Sequence, residues 1–209
     1  MAVDTIDPRE RLREGFLAVR YGATPTDWEE TAGESHFVEL IDGRLIVHSP
    51  AGLRHQRIFG FLHQLVAGHV ERNGLGEVLS GPFTMDLGVQ RKFEPDLIFV
   101  ALRSSELVTH DRLLGAADLV IEIASPSTAA YDRGEKRECY RVGRVGEYWM
   151  IDPAARRIAV DAPAGQELGS YAEGWVESNK CPGFAVRAEW FWVDPLPRVV
   201  DCIAAMTGR

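Results

Sequence analysis

At 209 residues the chain is long enough to bury one sizeable core, and a single domain over 1–209 is the expectation. Hydrophobic residues at 45% and charged residues at 26% are ordinary globular proportions and exclude disorder along the whole length. A formal net charge of −8 excludes a strongly basic coat for non-specific binding to polyanions, although it leaves room for an enzyme whose metal ligands are themselves acidic.

The charged N-terminus lacks the apolar core of a secretory signal, and no apolar run approaches the roughly 20 residues that span a bilayer. Cys139, Cys181 and Cys202 show no C-x-x-C spacing, so neither a disulfide framework nor a zinc cluster is expected. A reducing, cytoplasmic setting without membrane contact fits this usage.

Residues 7–20 read as a charged helix, with Asp7 as N-cap and Pro8 in its first turn. Together with a short helix opened by Thr26-Asp27-Trp28, they form an N-terminal extension over 1–27, ahead of a core over 28–195 and a tail over 196–209. Residues 37–47 read as a hairpin turned by Asp42-Gly43, the favoured two-residue pair. Glu39 lies on the face opposite Val38 and Leu40, together with Phe37 and Ile41. An edge-strand acid in solvent and a site acid are equally available readings there.

From Leu53 to Asn73, Ile58, Phe59, Leu62, Leu65, Val66 and Val70 recur at helical spacing, with Gly74 to end the helix. His55, His63 and His69 lie on it without the i, i+4 pairing of a metal-binding helix, and His55 is singled out because it opens the helix just after the hairpin. Short strands follow at 77–80 and 83–86, then central strands at 96–100 and 119–123, with a loop or helix expected over Leu113 and Leu114 between them. Ser127 or Thr128 caps a helix from Ala129 to about Val142. Strands at 147–151 and 157–160, a short strand at 175–177, an aromatic run Trp190-Phe191-Trp192 and a helix over 199–206 complete the chain.

Two apolar strands each carry one carboxylate, Asp96 and Glu122, and buried acids are costly unless paired or bound to metal. Their oxygens suit a hard divalent cation, to which the Ile123 carbonyl and Glu39 could add. Asp132, Lys136 and Tyr140 follow on one helix face, and an ammonium aimed at the acids would orient water or offset charge on a phosphoryl oxygen. The same residues also read as a capped strand, an arginine-paired acid and an ordinary i, i+4 surface pair.

The string Pro95-Asp96, Glu122, Ser125-Pro126-Ser127-Thr128, Asp132, Lys136, Tyr140 and Glu147-Tyr148-Trp149, with Glu39-Leu40-Ile41-Asp42-Gly43 and His55 before it, resembles the Uma-type restriction endonuclease family of the PD-(D/E)XK nuclease superfamily. The resemblance covers roughly residues 28–195. It implies an α/β fold with a restriction-endonuclease-like core, a central mixed sheet flanked by helices, and a Mg²⁺-dependent hydrolysis of DNA phosphodiesters. It also implies Asp96 and Glu122 as catalytic acids and Mg²⁺ ligands with the Ile123 carbonyl nearby. Mn²⁺ would substitute for Mg²⁺, no organic cofactor is implied, and a homodimer is expected so that both strands are reached. Glu39 would assist the metal or the water, and His55, Asp132 and Tyr140 would support the site.

One departure stands out. Ala124 occupies the place, two residues after the second acid, where the superfamily carries its lysine, so Lys136 on the following helix becomes the candidate. That departure and the net charge keep a second reading open, a catalytically silent module of the same fold that binds nucleic acid or a protein; a third reading is a hydrolase of a small phosphorylated ligand.

Overall fold

The structure, a computed structural model, describes residues 16–33, 37–125, 131–162 and 167–208. The helix expected over 7–15 and its Asp7 cap lie outside these residues, as do Ser127, Thr128 and the start of the helix they were to cap.

Among the described residues two six-stranded sheets pack face to face. The first contains β1 (Phe16–Tyr21), β2 (Val38–Ile41), β3 (Arg44–His48), β5 (Thr84–Asp86), β6 (Arg91–Phe93) and β8 (Arg112–Leu114), in the order β1-β3-β2-β6-β5-β8. The second contains β4 (Gly76–Ser80), β7 (Leu97–Ala101), β9 (Leu119–Ile123), β10 (Tyr148–Asp152), β11 (Arg157–Asp161) and β12 (Glu167–Tyr171), in the order β12-β11-β10-β9-β7-β4. This second sheet is mixed: β9 runs parallel to β10 and antiparallel to β7. It is the central mixed sheet expected from the sequence. The first sheet and the small pair β13 (Trp175–Glu177) and β14 (Ala185–Arg187) are additions to that expectation.

Alternation along the strands builds three apolar layers. In β2, Val38 and Leu40 turn outward onto Ala23, Trp28 and Leu45, beneath helix α1 (Pro25–Ala32). A capping box between Thr24 and Asp27 starts α1, and the Trp28 indole donates a 3.0 Å hydrogen bond to the Val38 carbonyl. Ile41 and Ile46 turn the other way, into the layer between the sheets, where they join Ile98, Val100, Val120 and Met150. The opposite face of the second sheet carries Leu97, Phe99, Ile121, Ile123, Trp149 and Ile151 against helix α2 (Leu53–Asn73).

In α2 the buried stripe is Ile58, Phe61, Leu62, Leu65, Val66 and Val70, each contributing about 1.5–3 kcal/mol by leaving water. Phe61 takes the fully buried place expected of Phe59, which packs at the margin. Gly74 ends the helix in the left-handed conformation, φ 60°, with its N–H returned to the Val70 and Glu71 carbonyls. Helix α4 (Val199–Thr207) lies beside α2 and supplies Cys202 to the same layer. No helix of the described residues is long and apolar enough to cross a membrane.

The hairpin forms as the Asp-Gly turn requires: Asp42 and Gly43 adopt φ 46° and 85°, and Glu39 faces Ile46 across the ladder. Three local expectations give way. Residues 16–20, read as the end of a helix, form β1 on β3, because cross-strand pairing to a distant segment outweighs the local charge pattern. Leu113 and Leu114 lie in β8, paired parallel to β5, after a 3₁₀ turn over Leu102–Leu107. The aromatic run, which the sequence leaves open between a final strand and a short helix, sits in and just after a 3₁₀ turn over Ala188–Phe191. In the helix expected up to Val142, the segment Asp132–Lys136 is a π turn, and regular α-helix α3 covers only Arg137–Val142. Such widened turns cluster at functional sites, and this one carries Lys136.

Candidate active site

Period-2 alternation puts Glu122 on the inter-sheet face of β9 beside Val120 and Ala124. Asp96 sits immediately before β7, the antiparallel neighbour of β9. The two acids interlock through the backbone: the Asp96 N–H donates to Glu122 Oε2 at 3.2 Å, and the Ile123 N–H donates to Asp96 Oδ2 at 2.8 Å. Residues 26 positions apart thus meet at one end of the strand pair.

Lys136 reaches back from the π turn. Its Nζ lies 2.7 Å from Glu122 Oε1 and 2.9 Å from Glu39 Oε1, so it bridges the two sheets. Tyr140, one turn further on, donates its hydroxyl to Glu122 Oε1 at 2.7 Å. His55, in the first turn of α2, places Nε2 3.1 Å from Asp96 Oδ2, while its Nδ1 is buried without a partner among the described residues. Asp132 is buried in the same turn as Lys136, and its charge acts on Glu122, Lys136 and His55. Asp96, Glu122, Ile123, Lys136, Glu39, His55, Asp132 and Tyr140, the residues given a role at the site from the sequence, therefore lie in one cluster.

The electrostatics show more acid than cation. Burial is the largest influence on Lys136 and opposes its charge, yet Glu122, Glu39 and Asp132 together hold its pKa well above the ordinary value. Burial pushes Glu39 upward, but Lys136 and His48 outweigh it and hold this carboxyl well below the usual range. Glu122 is raised to about 8 by burial, with Asp96, Asp132 and Glu39 adding to the shift against the pull of Lys136. The lysine is read as the ammonium, since two carboxylates flank it; the surplus of negative charge falls on Glu122. Burial lowers the His55 pKa, but the hydrogen bond and charge of Asp96 reverse the sign and raise it.

Three participants escaped the sequence reading. His48 Nε2 lies 2.9 Å from Glu39 Oε2, and the Tyr131 hydroxyl donates to the same oxygen at 2.7 Å. Glu94 is buried, accepts the Val38 N–H at 3.1 Å, and is pushed to about 8 by burial and then by Glu39. A signal for His48 did exist: with Glu39 opposite Ile46, His48 is the diagonal neighbour on the same face.

The oxygens left over fit a hard divalent cation. Asp96 Oδ1 receives no hydrogen bond from the described residues, and Glu122 Oε2 receives only the long one from Asp96. No three His, Cys, Asp or Glu side chains among the described residues form a ready cage. Mg²⁺ does not require one, because it keeps several waters and takes one or two carboxylates.

The mixed α/β architecture that carries this cluster is that of a nuclease-like fold. The architecture is similar to the crystal structure described as "a putative nuclease belonging to DUF820 from Anabaena variabilis", with a TM-score of 0.66 over 88% of this chain and 99% of that one. At 15% identity this is a likeness of fold alone. The chain belongs to the Uma2 family, described as "Putative restriction endonuclease", whose model matches residues 26–184. No curated protein matches the chain.

Proposed function

We propose that the protein is a Mg²⁺-dependent endonuclease that hydrolyses phosphodiester bonds of DNA. The observation that carries this reading is the reach of Lys136 to Glu122, 2.7 Å, from the turn after β9. It supplies the ammonium that Ala124 cannot. Membership of the Uma2 family and the nuclease named in the Anabaena structure support the reaction class. Mg²⁺, or Mn²⁺ in its place, would be held by Asp96 and Glu122, with the Ile123 carbonyl as a further oxygen, and would supply Lewis-acid stabilisation of phosphoryl charge.

The chain's own groups divide the remaining work. Lys136 uses two of its N–H groups on Glu39 and Glu122 and keeps the third for the attacking water or a non-bridging phosphoryl oxygen. Held as an ammonium, it orients and offsets charge; it does not abstract a proton. Tyr140 fixes Glu122, and His55 fixes Asp96. The side chains of Asp96 and His55 are 19% and 14% exposed, against 5% for Lys136 and Glu122, so DNA approaches from the Asp96–His55 side. A homodimer would present two such sites to the two strands.

The test is cleavage of plasmid and single-stranded DNA with and without Mg²⁺ or Mn²⁺. Metal-dependent nicking is expected, abolished in Asp96→Ala and Lys136→Ala. The deep burial of Lys136 between two acids favours the silent-module reading, and that reading prevails if cleavage never exceeds the Asp96→Ala background while nucleic acid or a protein still binds.

A further inference from the structure

We propose that His48 and Tyr131 are positioning residues that lock Glu39 as the anchor of Lys136, and that Glu39 itself binds no cation. The proposal rests on the endonuclease reading for its consequence in turnover, but its geometry stands apart from it.

A carboxylate offers about four lone-pair positions. On Glu39 all four are taken by protein. Oε1 receives Lys136 Nζ at 2.9 Å and the Glu94 N–H at 3.2 Å. Oε2 faces His48 Nε2 at 2.9 Å and receives the Tyr131 hydroxyl at 2.7 Å. The side chain is 1% exposed, so no water or ion competes for those positions. Glu39 therefore has nothing left to offer a cation or an attacking water, in contrast to Asp96, whose Oδ1 receives no hydrogen bond from the described residues.

What the lock achieves follows from where its parts come from. Glu39 and His48 sit on the hairpin strands β2 and β3, whose two-residue turn fixes their register. Tyr131 immediately precedes the π turn that carries Lys136, and its ring centre lies 5.9 Å from the lysine Nζ. The same turn thus delivers the lysine and one of the two groups that hold its anchor. Lysine has a flexible four-carbon stem and a point charge, so its position is only as definite as its partners make it. With Glu39 immobilised at both oxygens, Nζ is fixed between the two sheets at hydrogen-bond distance from Glu122.

The closing experiment reads Lys136 directly, in protein free of metal and DNA. The chain has only three lysines, Lys92, Lys136 and Lys180, so reductive methylation with formaldehyde followed by peptide mass spectrometry resolves each. In the unmodified sequence Lys136 and Lys92, both buried, are expected to label slowly. In His48→Ala/Tyr131→Phe, Lys136 is expected to label about tenfold faster through local opening, with Lys92 unchanged. His48→Gln, which keeps an amide donor, is expected to restore most of the protection. In cleavage, the double variant is expected to lose about tenfold or more in kcat with KM for DNA unchanged. Its Mn²⁺ affinity, and that of Glu39→Gln, are expected to stay within about twofold of the unmodified protein, while Asp96→Ala loses binding.

Unchanged Lys136 labelling, equal acceleration of Lys92, or a Glu39→Gln variant that loses Mn²⁺ as Asp96→Ala does would each overturn the proposal. Selective exposure of Lys136 in a protein that cuts no DNA would overturn the endonuclease reading and leave the lock standing.

Discussion

The hydroxyl of Tyr140 and the ammonium of Lys136 converge on a single oxygen, Glu122 Oε1, each at 2.7 Å. The phenol is fully buried and its pKa stands well above the ordinary value, first through burial and then through Glu122 and Glu39, so it is a permanent donor. Its ring packs edge-on against Phe93 and Tyr148, each at 5.2 Å. Tyr140→Phe keeps that packing and removes only the hydrogen bond. At a pH above about 8, where Glu122 is ionised, the expected cost is about 1.5–3 kcal/mol, the range for a bond to a charged acceptor, read as a lower urea midpoint at constant slope. An unchanged midpoint would mean that the bond contributes nothing in solution.

Lys136→Met is a larger insult than its size suggests. The thioether fills the space of the stem but leaves Glu39 and Glu122 facing each other without a cation between them. Breaking a buried ion pair from one side costs about 3–5 kcal/mol. Adding Glu39→Gln removes one of the stranded charges and is expected to recover part of the loss. Urea titration of the single and double variants at neutral pH measures both numbers; additive losses would contradict the coupling.

The strongly periodic parts of this site could be read from the sequence, and the parts fixed by distant pairing could not. Helix α2 runs from Leu53 to Asn73 with Gly74 behind it, as spacing and cap predict. The hairpin register follows from Asp42-Gly43, and with it the inward face of Glu39. Lys136 was placed by its position after the second acid, but its reach to Glu39 depends on two sheets packing face to face, which no local pattern encodes. For the same reason the local pattern of 16–20 reads as helix: nothing within it reveals that β3 is its partner. His48 and Tyr131 carry no local signal of a role, since each looks ordinary alone, one closing a strand and the other preceding a charged turn. Their roles appear only once Glu39 is seen to need four donors.

The buried thiols give a pH dependence of definite sign. Burial raises Cys139 to about 11 and Cys181 to about 12, while an unfolded thiol ionises near 8.5, roughly its model-peptide value. A folded pKa above the unfolded one contributes stability that is complete below about 8.5 and disappears as pH rises toward the folded values. The urea midpoint is therefore expected to fall steadily above pH of about 8.5. At pH of about 8 a disulfide reagent should modify Cys139 and Cys181 quickly only in denaturant, since the thiolate is the reactive species. Fast native-state modification of either would contradict their burial.

Glu147 shows that a buried acid in a family-like motif need not belong to the site. Only 1% exposed, it accepts from the Trp149 indole at 3.0 Å, the Ser178 hydroxyl at 2.7 Å, and the N–H groups of Asn179 and Lys180 at 2.9 and 3.1 Å. The indole belongs to β10 and the other donors to the turn over 178–181, which Ser178 tightens further by accepting the Cys181 N–H. The carboxylate thus ties that turn, and Phe184 and Val186 beyond it, to the second sheet and its core. Glu147→Ala would strand several buried donors at once, at about 1–3 kcal/mol each where water cannot reach them. Glu147→Gln keeps one accepting oxygen and is expected to cost less. Neither change touches Glu122, Asp96 or Lys136, so kcat for DNA measured well below the lowered melting temperature is expected to stay within about twofold. A selective loss of turnover in a folded Glu147→Gln protein would move this acid from the scaffold into the site.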